Sequence, residues 1–150
     1  MLVTNATTAT NTVLRGLQWE DGDVIVYFEA CYGAVEKTAR YVVEREKGRV
    51  EAVRVEVEWP VGEKEVLGRF EEVVKGVNEK GMGKKRVRVA LFDTVCSMPG
   101  IRMPWEALVD KCRDLGVLSC VDGAHGVGQI ELGLGRVRPD FFTSNLHKYG

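Results

Sequence analysis

The sequence predicts an α/β fold of three layers, in which helices cover both faces of a mostly parallel sheet. Short apolar runs typical of buried strands alternate along the chain with longer segments whose apolar residues recur at helical spacing. Strands that are joined through helices favour right-handed crossovers and parallel pairing. With 150 residues, 45% hydrophobic and 29% charged, the chain is long enough for one domain with a core.

Six segments have the composition of strands. Most are short apolar runs of the kind that a sheet buries on both faces. The segment 53–59 instead alternates valines and Trp59 with charged residues, which predicts a half-exposed strand near the edge of the sheet. In chain order, the predicted strands are 1–4, 23–28, 53–59, 87–92, 117–121 and 140–144.

Four helices are predicted between these strands, at 10–17, 33–46, 63–80 and 104–115. The third has apolar residues at a regular helical spacing from Val66 to Val77, so one face should lie on the sheet. Pro104 is a favourable first residue for the fourth helix, and Gly81 and Gly116 follow the third and fourth helices, where glycine commonly ends a helix.

The charge balance gives no sign of a nucleic-acid or membrane partner. The 21 basic and 22 acidic residues are interspersed, and no apolar run approaches the ~20 residues that a membrane-spanning helix needs. The four cysteines have no paired spacing and no signal peptide precedes them, so we expect reduced thiols in a cytoplasmic protein. The hydroxyl-rich opening of the chain also allows a transit peptide, although a strand and a helix are favoured there.

Polar side chains follow several of the predicted strands, at the edge of a parallel sheet where ligands bind. Thr7 and Thr8 stand at the start of a helix, where free N–H groups and the helix dipole favour an anion; simple helix capping is the alternative. Asp122 ends a buried strand and can pair with a cation or cap the next turn. His125 can donate to a ligand or to a local carbonyl, and Lys148 is either a nucleophile or a surface charge.

Taken together, these residues match the needs of pyridoxal phosphate. This cofactor has a phosphate, a ring hydroxyl, a ring nitrogen and an aldehyde that condenses with lysine. A carboxylate beside the ring nitrogen raises the pKa of that nitrogen by ~1–3 units and keeps it protonated. A dinucleotide site is disfavoured because Glu131 occupies the place of the third glycine of the fingerprint. A zinc site is disfavoured as well, since its possible ligands have no common spacing, and we expect no metal.

Two segments of the chain resemble the class V aminotransferase family, which includes cysteine desulfurases and isopenicillin-epimerase-like proteins. They are VDGAHGVGQIELGLGRVRPDFFTSNLHKYG (121–150) and the opening TNATTATNTVL (4–14), which looks like the phosphate segment of that family. The resemblance covers essentially the whole chain and is strongest to a fungal branch with cysteine-desulfhydrase-like and sulfoxide-lyase members.

The resemblance implies a role for each candidate residue. Lys148 would condense with the cofactor and act as the catalytic base, Asp122 would pair with the ring nitrogen, and His125 would contact the ring hydroxyl. Tyr32 would stack on the ring, with packing at a helix start as the alternative, and Ser97 would lie near the cofactor where relatives often carry asparagine. The phosphate would be held by Thr7, Thr8, Asn145 and His147.

The same resemblance implies an enzyme that acts on an amino acid, with C–S lyase chemistry of the cysteine-desulfhydrase kind on a sulfur-containing substrate. Transamination or epimerisation would use the same residues. Residues 1–150 would be an incomplete large domain of the aspartate-aminotransferase-like fold, without its N-terminal segment and small C-terminal domain, and full-length relatives would be homodimers. The alternative is a truncated, non-catalytic remnant, and we expect the chain alone to be aggregation-prone and inactive.

Overall fold

Five parallel strands form the sheet in the computed structural model, which describes residues 1–148. They are β1 (Asp23–Phe28), β2 (Val50–Val55), β3 (Arg86–Asp93), β4 (Leu118–Asp122) and β5 (Phe141–Thr143). Their order across the sheet is β2-β1-β3-β4-β5, and every neighbouring pair is parallel. The carboxyl ends of all five strands therefore lie at one edge.

Helices cover both faces of this sheet, which confirms the predicted three-layer α/β fold. They are α1 (Ala6–Gly16), α2 (Gly33–Arg45), α3 (Glu63–Lys80), α4 (Trp105–Leu115) and the short α5 (Leu134–Val137), followed by a 3₁₀ turn at Leu146–Lys148. The apolar faces of α1 and α2 belong to one core cluster, and those of α3 and α4 belong to a second cluster on the opposite face.

The predicted burial is confirmed for the fully buried strand β1 and for the half-exposed edge strand β2. Every residue of β1 is buried, as expected for a strand with neighbours on both sides and helices on both faces. β2 is the edge strand that the alternating pattern indicated, but it spans Val50–Val55 instead of 53–59. Val57 still packs in the same core cluster as Val55. The alternating pattern therefore indicated a buried face that continues beyond the last hydrogen-bonded residue of the strand.

The limits of the helices follow local signals. α3 has the predicted bounds, and Gly116 ends α4 in the left-handed conformation with φ of 67°. α1 begins at Ala6, earlier than predicted, because Asn5 caps it: the Asn5 side chain accepts a 2.8 Å hydrogen bond from the Thr8 backbone N–H.

The expectation of a strand at residues 1–4 is wrong. Met1 and Leu2 are 95% and 90% exposed, and within residues 1–148 no backbone hydrogen bond joins 1–4 to another strand. A strand is stable only where a neighbour takes up its backbone N–H and C=O groups. Local composition indicated a strand here, but in the part of the chain that the structure describes, residues 1–148, β5 is the last strand on this side of the sheet.

Gly123 brings β4 and β5 close together where the two strands end. Its backbone N–H donates a 2.7 Å hydrogen bond to the carbonyl of Thr143, and a Cβ built at this position would overlap the ring of Phe142. The turn that follows carries Ala124 and His125. Gly123 therefore fixes the path of the chain from the sheet into this turn.

None of the helices within residues 1–148 has the length and apolar character needed to cross a membrane.

We predict that Gly123→Ala lowers the free energy of unfolding by about 1–3 kcal/mol, since the added methyl group must displace the packed ring of Phe142. Gly68→Ala is a matched control, because Gly68 lies on α3 with open space around it. Alanine there should stabilise the helix by up to about 1 kcal/mol. Chemical denaturation of both variants measures the difference, and equal effects at the two positions would contradict the role assigned to Gly123.

Candidate functional site

A cavity of about 270 Å³ lies at the carboxyl ends of the strands, and we call it the site cavity. Its walls come from the ends of β3 and β4, the segment after β5, and the first residues of α1 and α2. A larger groove of about 530 Å³ lies between β2 and α3, where charged side chains such as Arg69 and Glu72 pair with each other. The groove has none of the candidate residues, so the chemistry of the chain is concentrated in the site cavity.

Asp122 ends β4 and is 9% exposed. Its Oδ1 accepts a 2.8 Å hydrogen bond from the backbone N–H of Ala124, so the predicted cap of the turn is present. Burial raises the pKa of the Asp122 carboxyl, while the Ala124 N–H and the nearby charges of Lys148 and His125 lower it. The carboxyl group also lines the site cavity, where it is available to a ligand.

Asp93 is a second buried acid in the same wall, and sequence reasoning did not single it out. It ends β3, is 4% exposed, and is the register partner of Asp122 across the two parallel strands. Burial and then the neighbouring charge of Asp122 raise its pKa to about 8. Its position in the sequence could have identified it, because Asp93 stands at the end of an apolar central strand, as Asp122 stands at the end of the next strand.

Lys148 and His125 are in direct contact across the site cavity, with 3.1 Å between Nζ and Nε2. Lys148 lies in the 3₁₀ turn after β5, and His125 lies in the turn after β4. A protonated lysine only donates, so in that state Nε2 of His125 accepts and the imidazole proton is on Nδ1. The histidine therefore orients the amine.

The first turn of α1 forms another wall, and its backbone N–H groups are partly occupied. The Ala6 N–H donates a 2.7 Å hydrogen bond to Oδ1 of Asn145, which is 7% exposed. The Thr8 N–H donates to the cap residue Asn5, and the Thr8 hydroxyl lies 2.9 Å from that of Thr4. Capping, the alternative for this segment, is thus carried out by asparagine, while Thr7 lines the cavity.

Seven of the nine residues predicted for the site line this one cavity: Thr7, Tyr32, Asp122, His125, Asn145, His147 and Lys148. Two do not. Thr8 lies outside the lining, and Ser97 is exposed on the loop after β3, where Val95 lines the cavity in its place. The lining also includes Asn5, Ala6, Asp93 and Ala124, which were not among the nine predicted site residues, although Asn5 and Ala6 belong to the predicted phosphate segment.

Tyr32 lies at the N-terminus of α2 and is 54% exposed. A tyrosine packed at the start of the helix was the alternative to a ring that stacks on a ligand. The exposed side chain does not belong to either core cluster, and it lines the site cavity. Its ring is therefore open to a planar ligand.

The four cysteines are free thiols, and three of them are buried: Cys96, Cys112 and Cys120. Burial raises the pKa of each of these three to about 12, and it also raises the pKa of Cys31. All four are therefore protonated at neutral pH and poorly suited to act as nucleophiles. Among residues 1–148 no cluster of three or more histidine, cysteine, aspartate or glutamate side chains could hold a metal ion.

The family model described as Aminotransferase class-V matches residues 1–150. An L-cysteine desulfhydrase-like protein of Epichloe uncinata is 36% identical over 149 residues, which are 99% of this chain and 31% of that protein. A probable chloroplastic L-cysteine desulfhydrase of Arabidopsis thaliana is 37% identical, over 99% of this chain and 32% of its own length. The chain thus spans about a third of the length of these relatives.

Solved structures share the fold. The cysteine desulfurase CsdA of Escherichia coli superposes with a TM-score of 0.78 at 18% identity, over 97% of this chain and 34% of the other. The cystine C–S lyase C-DES gives a TM-score of 0.75 at 22% identity, over 97% of this chain and 36% of the other. A mutant of C-DES has also been solved with glycine linked covalently to its PLP cofactor, and it gives a TM-score of 0.76.

We predict that Asn145→Ala lowers the free energy of unfolding by about 1–3 kcal/mol, since the buried Ala6 N–H loses its acceptor. Asn145→Asp is the matched control, because it keeps an acceptor oxygen beside the positive end of α1 and should retain most of the stability. Denaturation and hydrogen exchange at Ala6 measure both effects. Unchanged protection of the Ala6 amide in Asn145→Ala would show that the hydrogen bond has no such role.

Proposed function

Because the chain belongs to the class V aminotransferase family, we propose that its site cavity binds pyridoxal phosphate for C–S bond cleavage in a cysteine-like amino acid. One observation carries the proposal: a buried acid, a histidine, a lysine and a helix N-terminus converge on one cavity. Each of these groups matches one part of the cofactor. The solved C-DES relative with a PLP cofactor supports the same assignment.

Asp122 fits the ring nitrogen of the cofactor. A buried carboxylate is stable as an anion only when a positive partner offsets the loss of hydration. Burial already raises the pKa of Asp122, and a protonated ring nitrogen would supply the missing partner. In turn, the carboxylate would hold the proton on the ring. When bound, pyridoxal phosphate supplies an electron sink for the negative charge that develops at Cα of the amino acid.

The first turn of α1 fits the phosphate. Thr7 and His147 line the cavity there and can donate hydrogen bonds, and the positive end of the helix dipole favours the anion. Asn145 takes part differently from the role that the family resemblance implied, since its oxygen already accepts from Ala6. We infer that Asn145 fixes the start of α1 against the segment after β5. Thr7 and His147 are then held close enough together to bind the same phosphate group.

Lys148 fits the aldehyde of the cofactor and the proton at Cα of the substrate. Its Nζ lies in the cavity, 3.1 Å from Nε2 of His125. As a free amine, Nζ would take the Cα proton. His125 would keep the amine oriented and would contact the ring hydroxyl, while Tyr32 would cover the ring face.

The relatives support a sulfur-containing amino acid as the substrate class, since two of them carry L-cysteine desulfhydrase in their names. Carbon–sulfur cleavage is the finer proposal, because transamination and epimerisation would use the same residues. Release of sulfide from cysteine would distinguish it from both. We further propose that the chain is the cofactor-binding part of a larger catalytic unit, in line with its span of about a third of these relatives. The homodimer and the cytoplasmic location stay predictions.

We predict that the purified protein mixed with pyridoxal phosphate gains a visible absorption band, and that borohydride then fixes the cofactor on Lys148. Lys148→Ala should abolish the band, because Lys148 is the lysine that lines the cavity within residues 1–148. Lys64→Ala, at an exposed position of α3, is the matched control and should keep the band. Peptide mapping by mass spectrometry identifies the labelled residue. A label on another lysine, with Lys148 unmodified, would refute the assignment.

A further inference from the structure

Two carboxyl groups lie side by side in the wall of the site cavity. Asp93 and Asp122 are register partners at the carboxyl ends of β3 and β4, so their side chains leave the sheet on the same face. Neighbouring strands in a sheet are about 4.8 Å apart, which sets the scale of the separation between the two groups. Asp93 is 4% exposed and Asp122 is 9% exposed, so water does little to screen their charges.

The two carboxyl groups differ in their partners. Asp122 accepts the Ala124 N–H at 2.8 Å, and the charges of Lys148 and His125 also stabilise its anion. By contrast, Oδ1 of Asp93 has no hydrogen-bond partner within the described part of the chain, residues 1–148. Each acid has one backbone donor, Ala124 for Asp122 and Tyr32 for Asp93, but only the anion of Asp122 is also stabilised by His125. Of two neighbouring buried acids, the one whose anion is less stabilised is the one that keeps its proton.

The other groups that face Asp93 do not reverse this order. The backbone of Tyr32, from the start of α2, and Lys148, from the turn after β5, favour the anion. Their effect is smaller than that of burial and of the negative charge on Asp122. The thiols of Cys31 and Cys96 also lie near Asp93, and both are protonated at neutral pH.

We propose that Asp93 is a positioning residue that holds a proton at neutral pH and thereby limits the buried pair to one negative charge, carried by Asp122. A protonated carboxyl group can donate a hydrogen bond, and the strand register makes Asp122 the neighbouring acceptor. Asp93 would thus orient the carboxylate that faces the ring nitrogen of the cofactor. This inference rests on the proposed function for the identity of the ligand, but not for the location of the proton.

The retained proton has a consequence for stability. The pKa of Asp93 is about 8 in the folded protein, against about 3.9 for an unperturbed aspartate. Between these two values the folded state binds more protons than the unfolded state, so stability falls as the pH rises from about 4 to about 8. Above that window the effect of Asp93 is constant.

The direct test is a ¹³C NMR titration of the carboxyl groups in the cofactor-free protein. The resonance that disappears in Asp93→Asn should titrate near pH 8. The resonance that disappears in Asp114→Asn, at an exposed position of α4, identifies a solvent-exposed aspartate as the control for assignment. Denaturation across the same range should show a loss of stability with rising pH that is weaker in Asp93→Asn. Titration of Asp93 near pH 4 would overturn the inference.

A second measurement connects the proton to the cofactor. The pH dependence of the Kd for pyridoxal phosphate should contain a step near pH 8 in the wild type and not in Asp93→Asn, because asparagine cannot ionise. Identical pH profiles for the two proteins would contradict a positioning role. Failure of both proteins to bind the cofactor at any pH would refute the proposed function instead, and the carboxyl titration would still decide where the proton lies.

Discussion

The burial of an acid at the carboxyl end of β4 is the constraint on which the rest of the site depends. Asp122 loses most of its hydration, and the chain compensates with the Ala124 N–H and the nearby His125 and Lys148. A cationic ring nitrogen of the cofactor would add a further positive partner for the Asp122 carboxylate. The adjacent acid Asp93 is compensated less well, since its Oδ1 has no hydrogen-bond partner within residues 1–148 and the charge of Asp122 opposes a second anion. We infer that Asp93 stays protonated.

The fold serves this constraint by bringing the ends of separate elements together. The parallel order of the strands places the ends of β3 and β4 at one edge of the sheet, and the close packing of Gly123 on Phe142 fixes the turn to His125. The hydrogen bond from Ala6 to Asn145 joins the start of α1 to the segment that carries Lys148. An anion site and a lysine that are far apart in the sequence therefore share one cavity.

Much of this arrangement could be predicted from the sequence, because periodicity and strand ends are local signals. The bounds of β1 and α3 follow from apolar runs and helical spacing, and the polar residues after the strands indicated the edge where the cavity lies. Other features depend on contacts that local patterns do not contain. The segment 1–4 has the composition of a strand but no strand beside it within residues 1–148, and the choice of Asn145 as a partner for Ala6 is set by tertiary packing.

In the candidate site too, local sequence patterns predicted some residues, and tertiary contacts decide the role of others. Asp122, His125 and Lys148 were predicted as candidates because they follow buried strands, and all three line the cavity. Asp93 was overlooked because one acid after an apolar strand is common, and its significance comes from its register with Asp122. Ser97 was placed by resemblance alone, and the loop after β3 instead directs it to solvent.

The central role of Asp122 can be tested through the ¹⁵N chemical shift of the ring nitrogen in bound, ¹⁵N-labelled pyridoxal phosphate. We expect a protonated ring nitrogen at neutral pH in the wild-type protein. In Asp122→Asn the nitrogen should be largely unprotonated, because loss of the carboxylate lowers its pKa by about 1–3 units. An unprotonated ring nitrogen in the wild type, or the same shift in both proteins, would contradict this role for the carboxylate.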